Sequence, residues 1–358
     1  EKLNMSERIF LDEVSDILRI KQDRRSFMTR LLLGAAGTAF GSLTSVSPPY
    51  AATVDSGRSA VSFVTGSDRR EMVYQALKPL EKKVKKEIKG KQVILKPNLV
   101  GNNQPLCATH ADALRGVLDF LKPIYKQQVL IGESTGRRYE GKSGTFTHYE
   151  LYNYLDLERE YNVKLVDLNA RPPIVQWVLS SNGHPLDVRI IDSFLDPKNY
   201  IISACRLKTH NCMVVTLSAK NMLMAAPIND DIRHEKKVMH SPGIRNMNFN
   251  FFLLSQKIKP ALTVLDGLEG MEGNGPTTGT PVNHGVALAS TDFVAADRIG
   301  CQLMGVDFGD VGYLTYSANG GIGQGDLSKI DIIGPDPANY VKKYKMHERF
   351  EGMLEWKV

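Results

Sequence analysis

From residue 60 onward, short apolar runs bounded by Gly, Pro or Asn alternate with longer runs whose apolar positions recur at helical spacing. Strands are expected at 60–64, 92–96, 128–132, 164–167, 200–203, 261–265, 286–289 and 330–333. Helices are expected at 71–88, 111–121, 149–161, 213–224, 246–258 and 292–304. Strands that alternate with helices are joined by crossovers, which sets the strands parallel and the helices on the sheet faces. Between apolar runs at 174–179 and 186–190, Ser181-Asn182-Gly183-His184 supplies an Asn-Gly turn, the signature of an inserted β-hairpin. The expected fold is α/β: a single compact domain with a mostly parallel mixed sheet flanked by helices, carrying that hairpin. It spans residues 53–358 and follows an N-terminal extension, residues 1–52.

Within the extension, Asp23-Arg24-Arg25-Ser26-Phe27-Met28 precedes an uncharged, weakly apolar stretch, which is the pattern of a twin-arginine export signal. That predicts the twin-arginine translocase as a partner during export and a periplasmic or extracytoplasmic location. Gly34, Gly37, Gly41 and Pro48-Pro49 dilute the stretch below the usual composition of a membrane-spanning helix. Membrane attachment is expected only if the signal stays uncleaved. The net charge of +6 over 358 residues is mild, and no basic block interleaves with aromatics, so no nucleic-acid partner is expected. Cys107, Cys205, Cys212 and Cys301 are scattered and form no Cys-x-x-Cys. Neither a disulfide framework nor a self-contained iron–sulfur cluster is expected.

Several motifs sit at expected strand ends, where α/β sheets bind ligands. Lys96-Pro97-Asn98 follows one strand, and Pro97 stops the ladder, which leaves an ammonium and an amide at the mouth of the sheet. Arg206-Leu207-Lys208-Thr209-His210 follows another and leads to Lys220-Asn221. Lys208, Lys220 and His210 are candidates to hold a carboxylate or phosphate, with His210 as acid or base. Cys205, His210 and Cys212 form an alternative soft-metal set of irregular spacing. The glycine-rich run from Asp266 through Glu272 to Pro276 is expected to be a loop, part of a longer one reaching residue 281. Its two carboxylates suit a divalent cation or proton transfer. His240 lies in an expected polar loop and is a candidate third ligand.

Gly136-Arg137-Arg138-Tyr139-Glu140-Gly141-Lys142-Ser143 fits the P-loop pattern by letter. The expected strand ends several residues too early, and Gly144 follows where a helix should begin. A surface loop is the better reading.

Lys96-Pro97-Asn98, Leu207-Lys208-Thr209-His210, Leu217-Ser218-Ala219-Lys220-Asn221, the Asp266 to Pro276 run and Ser290-Thr291-Asp292-Phe293-Val294-Ala295-Ala296-Asp297 occur in that order. The series resembles domain of unknown function family 362, over roughly residues 61–333. The resemblance implies that the strand-end motifs belong to one site, and it supplies no ligand. Some relatives append a cysteine-rich ferredoxin-like module, which has no counterpart in this sequence.

The combined expectation is one polar pocket. Lys96, Asn98, Lys208, Lys220, Asn221 and Asn274 would bind a small anionic ligand or cofactor. Asp266, Glu272 and His210 would do the chemistry, and Asp266, Glu272 and His240 would hold a divalent cation. Two functions fit: a metal-assisted hydrolase or transferase acting on an anionic small molecule, or a non-catalytic cofactor-carrying or redox-accessory binding protein.

Overall fold

A computed structural model describes residues 57–100, 104–135, 144–230 and 233–357. The extension with its paired arginines and the run 136–143 lie outside the described residues. The strands are β1 (Ser59–Thr65), β2 (Gln92–Lys96), β3 (Val129–Glu133), β4 (Val163–Asp167), β5 (Pro173–Leu179), β6 (Pro185–Ile191), β7 (Asn199–His210), β8 (Val214–Thr216), β9 (Leu262–Glu272), β10 (Thr280–Ser290) and β11 (Ile330–Ile333). The large sheet runs β11-β1-β10-β9-β7-β2-β3-β4, with β8 paired to β7. From β9 through β7, β2 and β3 to β4 every pairing is parallel, and β10 is antiparallel to both its neighbours. The fold is therefore α/β with a mostly parallel mixed sheet, as expected. β5 and β6 make the separate hairpin, and Gly183 takes φ +74 at its turn.

Alternate residues of the central strands feed two cores. Val93, Leu95, Tyr200, Ile202 and Val264 join a cluster that includes Val117, Leu118 and Leu121 of the helix Ala111–Ile124. Ile94, Ile201, Cys205 and Leu265 face the opposite cluster, with Met222 of Ser218–Ala225, Phe251 of Gly243–Ser255 and Ile299 of Phe293–Leu303. This period-two split makes a helix–sheet–helix sandwich. No helix among the described residues is long and apolar enough to cross a membrane.

Four local expectations are corrected. The helix expected at 71–88 breaks into Arg69–Leu77, a 3₁₀ turn at Lys78–Leu80 carrying Pro79, and Glu81–Glu87. The one expected at 149–161 is two helices, Gly144–Leu151 and Leu155–Glu160, with Asn153 at φ 60 between them. The start of the helix expected at 213–224 is instead β8, whose β-branched Val214 and Val215 pair with β7, and the helix begins at Ser218. The expected loop from Asp266 to residue 281 is mostly strand. Pairing with β10 carries β9 on to Glu272, leaving a loop of 273–279.

Candidate functional site

The chain adds β3 and β4 on one side of β2, then returns to lay β7 on the other. The crevice at the carboxyl ends of β2 and β7 is therefore a topological switch point. A cavity of about 540 Å³ opens there, lined by Lys96, Asn98, Glu133, Lys220, Lys236 and Arg349 among others.

Lys96 is the last residue of β2, and Pro97 ends the ladder behind it. The Lys96 ammonium donates to Glu133 Oε2 at 2.5 Å, to Asn221 Oδ1 at 2.8 Å and to the Pro97 carbonyl. Glu133 ends the neighbouring β3, so two adjacent parallel strands deliver opposite charges to one point. Lys208, on β7, lies behind the lining residue Asn98 and donates to its Oδ1 at 2.8 Å and to the Cys107 carbonyl at 3.1 Å. Asn98 in turn donates to Asn221 Oδ1 at 3.2 Å. Lys220 and Asn221 occupy the first turn of the helix Ser218–Ala225. Asp297, wholly buried, accepts from the Ser218 and Ala219 N–H groups at 2.8 Å each and so fixes the start of that helix. Lys236 donates to the Met224 carbonyl at 2.7 Å and to Ser134 Oγ at 3.0 Å.

Lys220 is buried and has no hydrogen-bond partner among the described residues. Thr216 Oγ1, another buried group of the cavity wall, likewise has none among them. Loss of solvation lowers Lys208 and Lys236 to about 7 and Lys220 to about 8. Burial also lowers Lys96, against the opposing pull of Glu133. Glu133 is the sole carboxylate among the described lining residues. Charges held out of water in this way need a counter-charge, and the described residues of the cavity wall supply one carboxylate.

At the rim, β7 turns back into β8 through residues 211–213, with His210 opposite Val214. Val214 takes φ 65, a left-handed conformation that costs a β-branched residue about 1–2 kcal/mol. The turn places Cys212 Sγ 3.4 Å from His210 Nδ1. His240 reaches the same place from the end of the helix Glu235–His240, not from a loop as expected. Ligand atoms of His210, Cys212 and His240 all lie within 4.8 Å of one another. Burial and the nearby Lys220 charge push His210 well below its ordinary range and His240 to about 4. Burial pushes the Cys212 thiol up.

Lys96, Asn98, Lys208, Lys220, Asn221, His210 and His240 are thus brought together, and Asp266, Glu272 and Asn274 are not. Asp266 and Glu272 are six residues apart on β9, a separation of about 20 Å in extended chain. Asp266 is buried against Arg69 Nε at 2.9 Å and accepts from Leu268 N–H. Glu272 accepts from Lys345 N–H, and Asn274 bonds Glu348. None of the three lines the cavity. Cys205 also drops out of the soft-metal set, because it lies five strand positions from His210 and packs in an apolar core. Glu133 and Lys236 were missed. Glu133 closes an apolar strand just as Lys96 does, and the same strand-end rule finds it. Lys236 stands in an ordinary charged run, Glu235-Lys236-Lys237, with no signal of its own.

Comparison with known proteins bears on identity but not on chemistry. A thylakoid-associated protein of Synechocystis is 26% identical over 227 residues, covering 61% of this chain. The chain spans 64% of that relative's length. A crystal structure of a Thermotoga maritima protein aligns at 11% identity with a TM-score of 0.33, covering 58% of this chain and 53% of its own. The profile of the domain of unknown function DUF362 matches residues 93–302, which takes in the cavity-lining residues from Lys96 to Pro276 but not Arg349. The chain belongs to the DUF362 family.

Proposed function

We propose that the crevice between β2 and β7 binds an anionic small molecule bearing a carboxylate or phosphate group, and that the protein hydrolyses it or transfers a group from it. The observation that carries this reading is the charge balance of the cavity. Lys96, Lys220, Lys236 and Arg349 line it against the single carboxylate of Glu133, and Lys220 has no hydrogen-bond partner among the described residues. An anion would provide the missing counter-charge and restore the proton that desolvation weakens on Lys220. Ammonium groups gathered on the cavity wall also favour a transition state in which an oxyanion gains charge. The Thr216 hydroxyl adds a donor to the same wall. The paired Arg24-Arg25 support export as the route to the place where this occurs.

The test is a screen of phosphate monoesters, acyl phosphates and carboxylic esters, with product release followed directly and sulfate as a competitor. The reading expects turnover that sulfate inhibits and that Lys220→Met abolishes. A binding protein without catalysis would return every compound unchanged while still taking up sulfate.

A further inference from the structure

We infer that His210, Cys212 and His240 form a binding site for one d-block dication of the zinc class, with a fourth position open to the cavity. The inference goes beyond the anion reading and rests on different side chains. A tetrahedral ion with Zn–N near 2.0 Å and Zn–S near 2.3 Å sets its ligand atoms roughly 3.5 Å apart. His210 Nδ1, which accepts from the Cys212 N–H at 3.2 Å and so carries the lone pair of the ring, is 3.4 Å from Cys212 Sγ, and ligand atoms of the whole set lie within 4.8 Å of one another. Closing the set to that spacing needs ligand atoms to approach by about 1.3 Å at most, the difference between 4.8 Å and roughly 3.5 Å.

The surroundings match what such a ligand set needs. His240 Nδ1 donates to the Lys236 carbonyl at 2.7 Å, which leaves Nε2 as its lone-pair nitrogen. A histidine that ligates through one nitrogen commonly gives the other N–H to a backbone carbonyl in this way. All three residues line the cavity, so protein closes one side of the site and the other faces the anion position. Three protein ligands with one exchangeable position is the arrangement of catalytic zinc sites, whereas structural sites use four. Two imidazoles and a thiol select this class over Mg²⁺ or Ca²⁺, which prefer oxygen. Binding releases the Cys212 thiol proton to solvent, and the resulting thiolate offsets part of the dication's charge beside Lys220.

The experiment uses the full chain, stripped with chelator, titrated with Zn²⁺ and separately with Co²⁺. One Zn²⁺ per chain is expected, and Co²⁺ should develop a thiolate charge-transfer band in the near ultraviolet. His240→Ala, with its circular dichroism checked against the parent, should weaken Zn²⁺ by more than about 100-fold, beyond the loss typical of an outer-sphere partner. Cys212→Ser should abolish the cobalt band. Lys220→Met should keep both metals while losing sulfate, which separates this site from the anion reading. Absence of stoichiometric Zn²⁺ in the parent chain, or equal affinity in the parent and His240→Ala, would overturn the inference.

Discussion

The ammonium of Lys96 and the carboxylate of Glu133 meet at 2.5 Å where β2 and β3 end side by side, with side-chain exposures of 1% and 5%. Removing one partner strands the other without water. Lys96→Met should therefore cost about 3–5 kcal/mol of stability. The double variant Lys96→Met/Glu133→Leu should recover part of that loss, because it removes the stranded charge but leaves the Leu99 and Ser134 N–H groups without their Glu133 acceptor. Denaturant midpoints of the two single variants and the double variant give the coupling directly.

Lys220 behaves in the opposite way, because among the described residues it has no hydrogen-bond partner to strand. Holding a desolvated ammonium costs the protein stability at neutral pH. Lys220→Met should therefore stabilise the ligand-free chain by about 1–3 kcal/mol. A melting temperature that falls in this variant would show that Lys220 contributes to the fold and is not held ready for a ligand.

The same group sets a pH dependence. Its folded value of about 8 lies below the ordinary 10.5, so between those values the unfolded chain binds the extra proton. The contribution of Lys220 to stability should rise with pH across that window. An anion favours the charged amine, so sulfate binding takes up a proton above pH 8. Sulfate affinity should then fall as pH rises, by up to about 10-fold per pH unit. Both dependences should flatten in Lys220→Met, as read by calorimetry at pH 7, 8 and 9.

Asp297 makes a structural control. It is wholly buried and accepts two backbone N–H groups at the start of the helix that carries Lys220. Asp297→Ala orphans both donors and should cost about 2–4 kcal/mol. Asp297→Asn, which keeps one acceptor oxygen, should cost less. Thermal unfolding of the two variants distinguishes them.

Asp266 tests the corrected site. Asp266→Asn breaks the ion pair with Arg69, in which the side chains are 2% and 11% exposed, and should destabilise by about 1–3 kcal/mol. Zn²⁺ and sulfate affinities should stay within about twofold of the parent, which is below 0.5 kcal/mol. A large loss of metal would return Asp266 to the site.

Much of this arrangement is legible in the sequence, because apolar runs such as Val93-Ile94-Leu95 and the Asn182-Gly183 turn carry their own local signal. The extensions of β7, β9 and β10 carry none. Arg206, Lys208 and His210 are polar yet buried, and Gly267 and Gly270 suggest a loop although they pair with β10. Partner strands decided these segments, against local preference. Lys96, Asn98, Lys220 and Asn221 are legible because they close an apolar strand or begin a helix after one, whereas Lys236 has no such signal and Asn274 lies outside the cavity. The pairing of His210 with His240 was not legible, because 30 residues and several elements separate two histidines that meet only in the folded chain.

The central claim is that the cavity at the β2–β7 crevice is an anion site completed by Lys220. Its most direct test is calorimetric titration of sulfate into the full chain at pH 7, alongside Lys220→Met. The account predicts saturable binding at one site in the parent and an affinity at least about 10-fold weaker in the variant, equivalent to ~1.4 kcal/mol. Equal affinity in the two proteins, or no saturable binding in the parent, would contradict it.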